Sequence, residues 1–197
     1  MTTRTWFSGK ASLMALALLG GFLLAPDRAD ACACCAEPGA YRIGVSKPTA
    51  SEIGLLEEMR FAQAGHLYAI HDTELPEDYT VSGMLSGKIW TLTLSEGMNM
   101  GRLNLSRPTK MVSYSADIHD GKTGGGGGPL LYKEWRFEGT ASGTGFFKSS
   151  AIAPTKYFLV LQGRGNNCDN AEDFTNWRLE IKGRRETYSF YGEMAKR

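Results

Sequence analysis

Apolar and polar residues alternate along much of the second half of the chain, which is the pattern of β-strands that turn one face to a core. Trp90, Leu92 and Leu94 share one face of the segment KIWTLTL. Trp135 and Trp177 take the same place in YKEWRFEG and NWRLEIKG, opposite charged side chains. These segments predict half-buried antiparallel strands whose tryptophans point inward.

Other segments extend this pattern to an all-β fold. KMVSYSADIHD alternates in the same way, KYFLVLQG is apolar on both faces as expected of a central strand, and ETYSFYGEM is typical of a last strand. Turn-rich stretches containing many of the 24 glycines separate the strand signals. The predicted fold is an antiparallel sandwich or closed barrel of about seven to nine strands. In a closed barrel the inward tryptophans would line a ligand cavity.

One short helix is predicted near residues 50–63. Thr49 and Glu52 have the spacing of a capping box, Leu56 lies on the apolar face, and Gly65 is expected to end the helix. The second half of this region, MRFAQAGHLYAIHD, fits a strand equally well, because periodicity over a short stretch does not separate the two structures.

The first residues have the pattern of an export signal. Arg4 and Lys10 precede the apolar run SLMALALLGGFLLA, and Ala29 and Ala31 form a small-x-small cleavage site. We therefore predict that residues 1–31 are a signal peptide. The apolar run is short for the roughly 20 residues of a membrane-spanning helix, and no other span is expected once the signal is removed.

Cleavage would leave residues 32–197 as a single β domain in the periplasm or outside the cell. The chain has 22 basic and 21 acidic residues and no basic block. This balance argues against nucleic acids and anionic membranes as partners. Cys32 would become the first residue, as in lipoproteins, but the preceding Ala-Asp-Ala does not resemble their leucine-rich signal, so a lipid anchor is not expected.

The main candidates for chemistry are four cysteines, Cys32, Cys34, Cys35 and Cys168. An exported chain meets oxidising conditions, so an even number of cysteines predicts two disulfides. Within the cluster Cys32–Cys35 is the easiest bond, because bonds between closer cysteines are strained. The remaining bond, Cys34–Cys168, would close a long loop and contribute about 4 kcal/mol in the chain-entropy model.

The alternative for these cysteines is a soft-metal site. Thiolates suit copper and zinc, and Cys32 would add a free amine. Structural zinc sites usually use two C-x-x-C pairs, however, and the second pair is missing here. The C-x-x-C pair also lacks the βαβ context of a thioredoxin-like redox site. We therefore predict no cofactor, with copper or zinc as the alternative.

The rest of the sequence has no catalytic motif. His66, His71 and His119 accompany no nucleophile-elbow or zincin pattern. Met98 and Met100 would suit Cu(I), although methionine more commonly fills core gaps. The segment NNCDNAED has oxygen ligands of the calcium type, but a turn that caps a short helix explains the same residues. We therefore expect a non-enzymatic binding protein for a small ligand or protein partner, with soft-metal binding as the alternative function.

Overall fold

The structure is a computed structural model, which describes residues 36–62, 66–70, 79–119, 128–148, 155–184 and 187–195, with only the backbone of 66–70. The predicted signal peptide and the three clustered cysteines lie outside these residues. All of the described residues belong to one compact unit.

The described residues form a strongly β-rich fold with one α-helix. Every strand pair is antiparallel. The elements are β1 (Tyr41–Ser46), α1 (Ala50–Glu58), β2 (His66–Ile70), β3 (Thr80–Met84), β4 (Ile89–Glu96), β5 (Asn99–Ser106), β6 (Met111–Ala116), β7 (Leu131–Gly145), β8 (Thr155–Gly165), a 3₁₀ turn (Ala171–Asp173), β9 (Phe174–Lys182) and β10 (Thr187–Glu193). The predicted all-β antiparallel fold with one short helix is confirmed.

The strands form one sheet that curls into a half-barrel, so of the two predicted architectures the structure is nearer to a barrel. The described residues contain ten strands, slightly more than the predicted number of about seven to nine. The sequence predicts neither β1 nor β3, because each is short and is interrupted by a glycine, Gly44 in β1 and Gly83 in β3.

The long strand β7 organises the sheet. Its first half, Tyr132–Phe137, pairs with β6, and its last residues, Ala141–Gly145, pair with β5 along the same edge. Its other edge pairs continuously with β8. The sheet therefore branches at β7, and one branch ends in the pair β6–β1, with β1 at its margin.

The helix begins where the sequence predicts and ends earlier. Thr49 Oγ1 accepts the Glu52 N–H at 3.2 Å, and the Glu52 carboxylate accepts the Thr49 N–H at 2.6 Å, which completes the capping box. The helix ends at Glu58 rather than near residue 63, because the chain is extended from Met59 and Phe61 forms a β-bridge. The strand alternative for the second half of the region is the correct one, since β2 lies within it. No helix in the described part of the chain is long and apolar enough to cross a membrane.

The predicted inward tryptophans are core residues. Trp90, Trp135 and Trp177 are each at most 2% exposed. Each packs against one phenylalanine ring: Phe137 at 5.5 Å, Phe174 at 4.6 Å and Phe61 at 5.2 Å, respectively. These contacts fill the concave side of the sheet with aromatic rings.

Candidate functional site

Cys168 is the one cysteine within the described residues, and it lies in the loop between β8 and the 3₁₀ turn. Its predicted bonding partners lie outside the described residues, so the two disulfides and the alternative metal site stay predictions. Within the described ranges, no group of three His, Cys, Asp or Glu side chains is placed to hold a metal ion.

A buried lysine fixes the loop that carries Cys168. Lys133 lies on the inner face of β7 with 2% of its surface exposed. Its ammonium group donates to the Cys168 carbonyl at 2.7 Å, to Asp169 Oδ1 at 3.0 Å and to Asp173 Oδ2 at 2.8 Å. All three of its N–H donors are used. Lys133 therefore acts as an internal clamp and has no donor left for a ligand.

Two glycines make room for this clamp. A Cβ atom at Gly163 would lie 1.7 Å from the Asp173 carbonyl oxygen, and one at Gly165 would lie 2.1 Å from Asp173 Oδ2. The Asp173 carboxylate also accepts the Asn170 N–H at 3.3 Å. The short helical turn predicted in NNCDNAED is observed at Ala171–Asp173, and Asp173 in the turn and Asp169 just before it bind the Lys133 ammonium.

Lys133 was not among the predicted site residues, although the alternation of YKEWRFEG contains the signal. Lys133 lies two residues before the inward-facing Trp135 and four before Phe137, so it shares their face of the strand. A lysine at such a core position requires a partner. Its partners Asp169 and Asp173 lie 36 and 40 residues along the chain. No local pattern identifies residues so distant.

The described part of the chain brings none of the other sequence candidates together in one site. His66 lies in β2 and His119 is exposed after β6, while His71 lies outside the described residues. Met98 and Met100 are exposed at the β4–β5 turn, which gives no support to a role in core packing. The described residues therefore provide no geometric support for a histidine or methionine site.

A groove with a volume of about 600 Å³ lies on the outer face of β7, β8 and β9. Lys156 and Lys182 stand directly opposite each other across its floor. The Glu180 carboxylate lies 3.4 Å from the Lys182 ammonium. The walls thus carry both signs of charge and are open to solvent, so the groove selects no particular ligand charge.

The margin of the sheet has a different character. Tyr41, Ile43 and Val45 of β1 are 64%, 58% and 60% exposed, and all three point to the outer face. The ring of Tyr114 in β6 lies 5.6 Å from that of Tyr41, in an edge-to-face arrangement. We call these four residues the edge patch. A row of large apolar side chains on a marginal strand is unusual, because natural edge strands are usually protected by charges, prolines or bulges.

The backbone of β1 is also available at this margin. The Ala40 carbonyl accepts the Asp117 N–H at 2.8 Å, so the even-numbered residues of β1 form the hydrogen bonds to β6. The N–H and C=O groups of Tyr41, Ile43 and Val45 therefore point away from β6. No described strand pairs with that side of β1. Each outward residue thus offers one donor and one acceptor beside an exposed apolar side chain.

A polar network continues the edge patch onto β7. The Tyr132 hydroxyl donates to the Glu134 carboxylate, which also pairs with Arg136. The Arg136 guanidinium lies 5.7 Å from the centre of the Tyr114 ring. Tyrosine and arginine are enriched in protein interfaces. The outer face beside β1 therefore combines exposed apolar area with side chains typical of binding surfaces.

Three tyrosines predict a pH dependence of stability. Burial raises the pKa of Tyr79 to about 12, with a smaller contribution from Glu96. Burial also raises the pKa of Tyr132 and Tyr157, and the hydrogen bond to Glu134 adds to the effect at Tyr132. Unfolded tyrosines ionise near pH 10. The stabilisation is therefore complete below about pH 10 and is lost as the pH rises through about 12.

This prediction is tested by urea unfolding at increasing pH, together with the ultraviolet absorbance of phenolate. We expect the free energy of unfolding to fall above pH 10 and some phenols to ionise only as the chain unfolds. Tyr157→Phe should lessen the pH dependence, because it removes one of the buried phenols. Ionisation of every tyrosine in one step near pH 10, without loss of stability, would contradict the prediction.

Comparison of the chain with protein-family models, with curated proteins and with solved structures found no match.

Proposed function

We propose that this chain is an exported, non-enzymatic binding domain that recruits a protein partner by strand addition to β1. The observation that carries the proposal is the open margin of β1, where Tyr41, Ile43 and Val45 combine exposed side chains with outward backbone groups. Export is part of the proposal, and it rests on the signal pattern of residues 1–31.

The edge favours an extended peptide over other ligands. In strand addition, main-chain hydrogen bonds provide affinity and alternate side chains provide specificity. β1 supplies both, because the residues with outward N–H and C=O groups are also the residues with exposed apolar side chains. A partner strand would therefore place apolar side chains at every second position, on the face of the edge patch.

The sheet also favours an antiparallel partner, since every described strand pair is antiparallel. In an antiparallel pair, residues that stand opposite each other share one face and the same hydrogen-bonding role. The apolar residues of the partner would thus be those whose N–H groups face β1. In a parallel partner, the residues between these apolar residues would make the hydrogen bonds to β1 instead.

The test uses a short synthetic peptide in which valine alternates with threonine and a lysine caps each end. The protein carries a fluorescent dye and is held at nanomolar concentration while the peptide is titrated. We expect saturable binding and an unchanged affinity when the threonine nitrogens are methylated. Methylating the valine nitrogens should weaken binding at least about tenfold, because several hydrogen bonds of about 1 kcal/mol each are lost together and about 1.4 kcal/mol corresponds to tenfold.

One result would overturn this proposal, and another would overturn the orientation of the added strand. Absence of peptide binding would show that β1 accepts no added strand. Binding that is lost only on methylating the threonine nitrogens would contradict the antiparallel orientation. Ile43→Lys should weaken binding by placing a charge in the edge patch, whereas Ile89→Lys is the matched control, because Ile89 is 60% exposed at the start of β4.

A further inference from the structure

We infer that the strand added to β1 is β1 of a second copy of this chain, paired antiparallel about a two-fold axis at Ile43. This inference rests on the proposed function, because it names the occupant of the same open margin. It is carried by the self-complementarity of β1, in which one register pairs the backbone groups, aligns the apolar face and keeps the Arg42 side chains of the two copies from standing opposite each other.

The backbone limits the possible registers. Tyr41, Ile43 and Val45 direct their N–H and C=O groups outward, as the hydrogen bond between Ala40 and Asp117 shows. Two copies can bond across a two-fold axis only when outward residues stand opposite outward residues. With the axis at Ile43, Ile43 stands opposite Ile43 of the second copy, and Tyr41 stands opposite Val45 of the second copy. Every outward N–H and C=O group of β1 then has a partner.

The side chains agree with this register. Tyr41, Ile43 and Val45 would form one apolar row that joins the edge patches of the two copies on the same face. On the other face, Arg42 would stand opposite Gly44 of the second copy, which has no side chain to oppose it. Arg42 is also held within its own copy, where it donates to Asn167 Oδ1 at 3.3 Å.

The neighbouring registers pair the two strands less favourably. An axis at Arg42 would place two guanidinium groups directly opposite each other, and like charges in that position are destabilising. An axis at Gly44 would place Tyr41 opposite Lys47 of the second copy and break the apolar row. Registers shifted by a single residue would set outward groups against inward ones. The axis at Ile43 is therefore the register that the sequence of β1 supports.

The paired strands are short, so the dimer should be a weak one. One strand pair of this length buries less than the roughly 1,600 Å² of a standard interface. We therefore expect monomer and dimer to exchange with a dissociation constant in the micromolar range, on the order of 1 to 100 μM. Sedimentation velocity over a range of concentrations measures this constant.

The decisive comparison is between two isoleucine variants of the purified protein. Ile43→Lys would place two ammonium groups together on the axis, and we expect it to weaken association at least about tenfold. Ile89→Lys introduces the same change at an equally exposed strand position away from β1 and should associate like the wild type. Thermal unfolding of each variant confirms that the fold is kept.

A cross-linking experiment tests the register. Ile43→Cys should form an intermolecular disulfide with itself, identified by mass spectrometry of the joined peptides. Val45→Cys should not, because the two copies of that position would be separated by four residues, roughly 13 Å along the strand, which exceeds the reach of a disulfide. Cross-linking through Val45→Cys and not through Ile43→Cys would overturn the register.

The outcomes also separate this inference from the proposed function. A chain that stays monomeric at every concentration, yet binds the valine–threonine peptide, would overturn the dimer and leave strand addition intact. A dimer that Ile43→Lys does not weaken would place the interface elsewhere and overturn the inference. A monomer that also fails to bind the peptide would overturn both.

Discussion

Replacing Lys133 with methionine is expected to lower the free energy of unfolding by about 3 kcal/mol. The substitution leaves the Asp173 carboxylate, which has 15% of its side-chain surface exposed, without the ammonium group 2.8 Å away. The Asp169 carboxylate, at 39% exposure, is better hydrated and contributes less. Removing one member of a buried ion cluster is costly because the remaining charge loses both its partner and its solvation.

The matched control for this substitution is Lys156→Met, on the exposed outer face of the neighbouring strand β8. It should change the free energy of unfolding by no more than about 0.5 kcal/mol. Urea unfolding measures both variants. Equal effects of the two substitutions would show that the clamp does not stabilise the fold.

A double-mutant cycle separates the ion pair from other effects of the substitution. Asp173→Asn should cost less stability in the Lys133→Met background than in the wild type, because the interaction that it breaks is already lost. The Cys168 carbonyl would lose its lysine donor as well. In the Lys133→Met variant we therefore also expect faster amide hydrogen exchange in the loop of residues 166–170.

Replacing Gly163 with alanine is expected to destabilise the fold by about 3 kcal/mol. The new Cβ atom would lie 1.7 Å from the Asp173 carbonyl oxygen and 2.9 Å from the Thr175 nitrogen. Both are backbone atoms and cannot rotate away, so β8 and the 3₁₀ turn must separate. This movement would also draw the Asp173 carboxylate away from Lys133.

Gly54→Ala provides a control of opposite sign. Gly54 lies inside α1, and a Cβ atom there would meet nothing within 4 Å. Alanine should stabilise the helix by about 0.5–1 kcal/mol, because it restricts the unfolded chain and suits a helix interior. Denaturant unfolding of both variants checks the pair. A loss of stability in the Gly54→Ala variant, or no loss in the Gly163→Ala variant, would contradict the geometry around the substituted glycine.

The helix shows how far local sequence determined this fold. Its start was predictable, because Thr49 and Glu52 satisfy each other's backbone groups within one turn. Its end was not, because the extension of Phe61 depends on a β-bridge to Met194 and on contact with the Trp177 ring. These partners are more than a hundred residues away in the sequence, where no local pattern reveals them.

The candidate sites show the same division. The cysteine pattern led to predictions of disulfides or a metal, whereas the described residues point to the lysine clamp beside Cys168 and to the open margin of β1. Alternation places Lys133 on an inward face, but only the fold brings Asp169 and Asp173 to it. The edge patch was missed because its strand, β1, is short and contains a glycine and was not predicted. Even for a predicted strand, alternation indicates that one face is apolar and does not indicate what covers it.

By itself, the sequence determined the antiparallel strands, the inward tryptophans and the start of the helix, because each depends on spacings of a few residues along one segment. The tertiary structure decided that the sheet branches at β7, that Lys133 clamps the Cys168 loop, and that Tyr41, Ile43 and Val45 lie exposed on a marginal strand. Those features depend on which strands become neighbours, and strand neighbours are selected by packing between segments that are distant in the sequence.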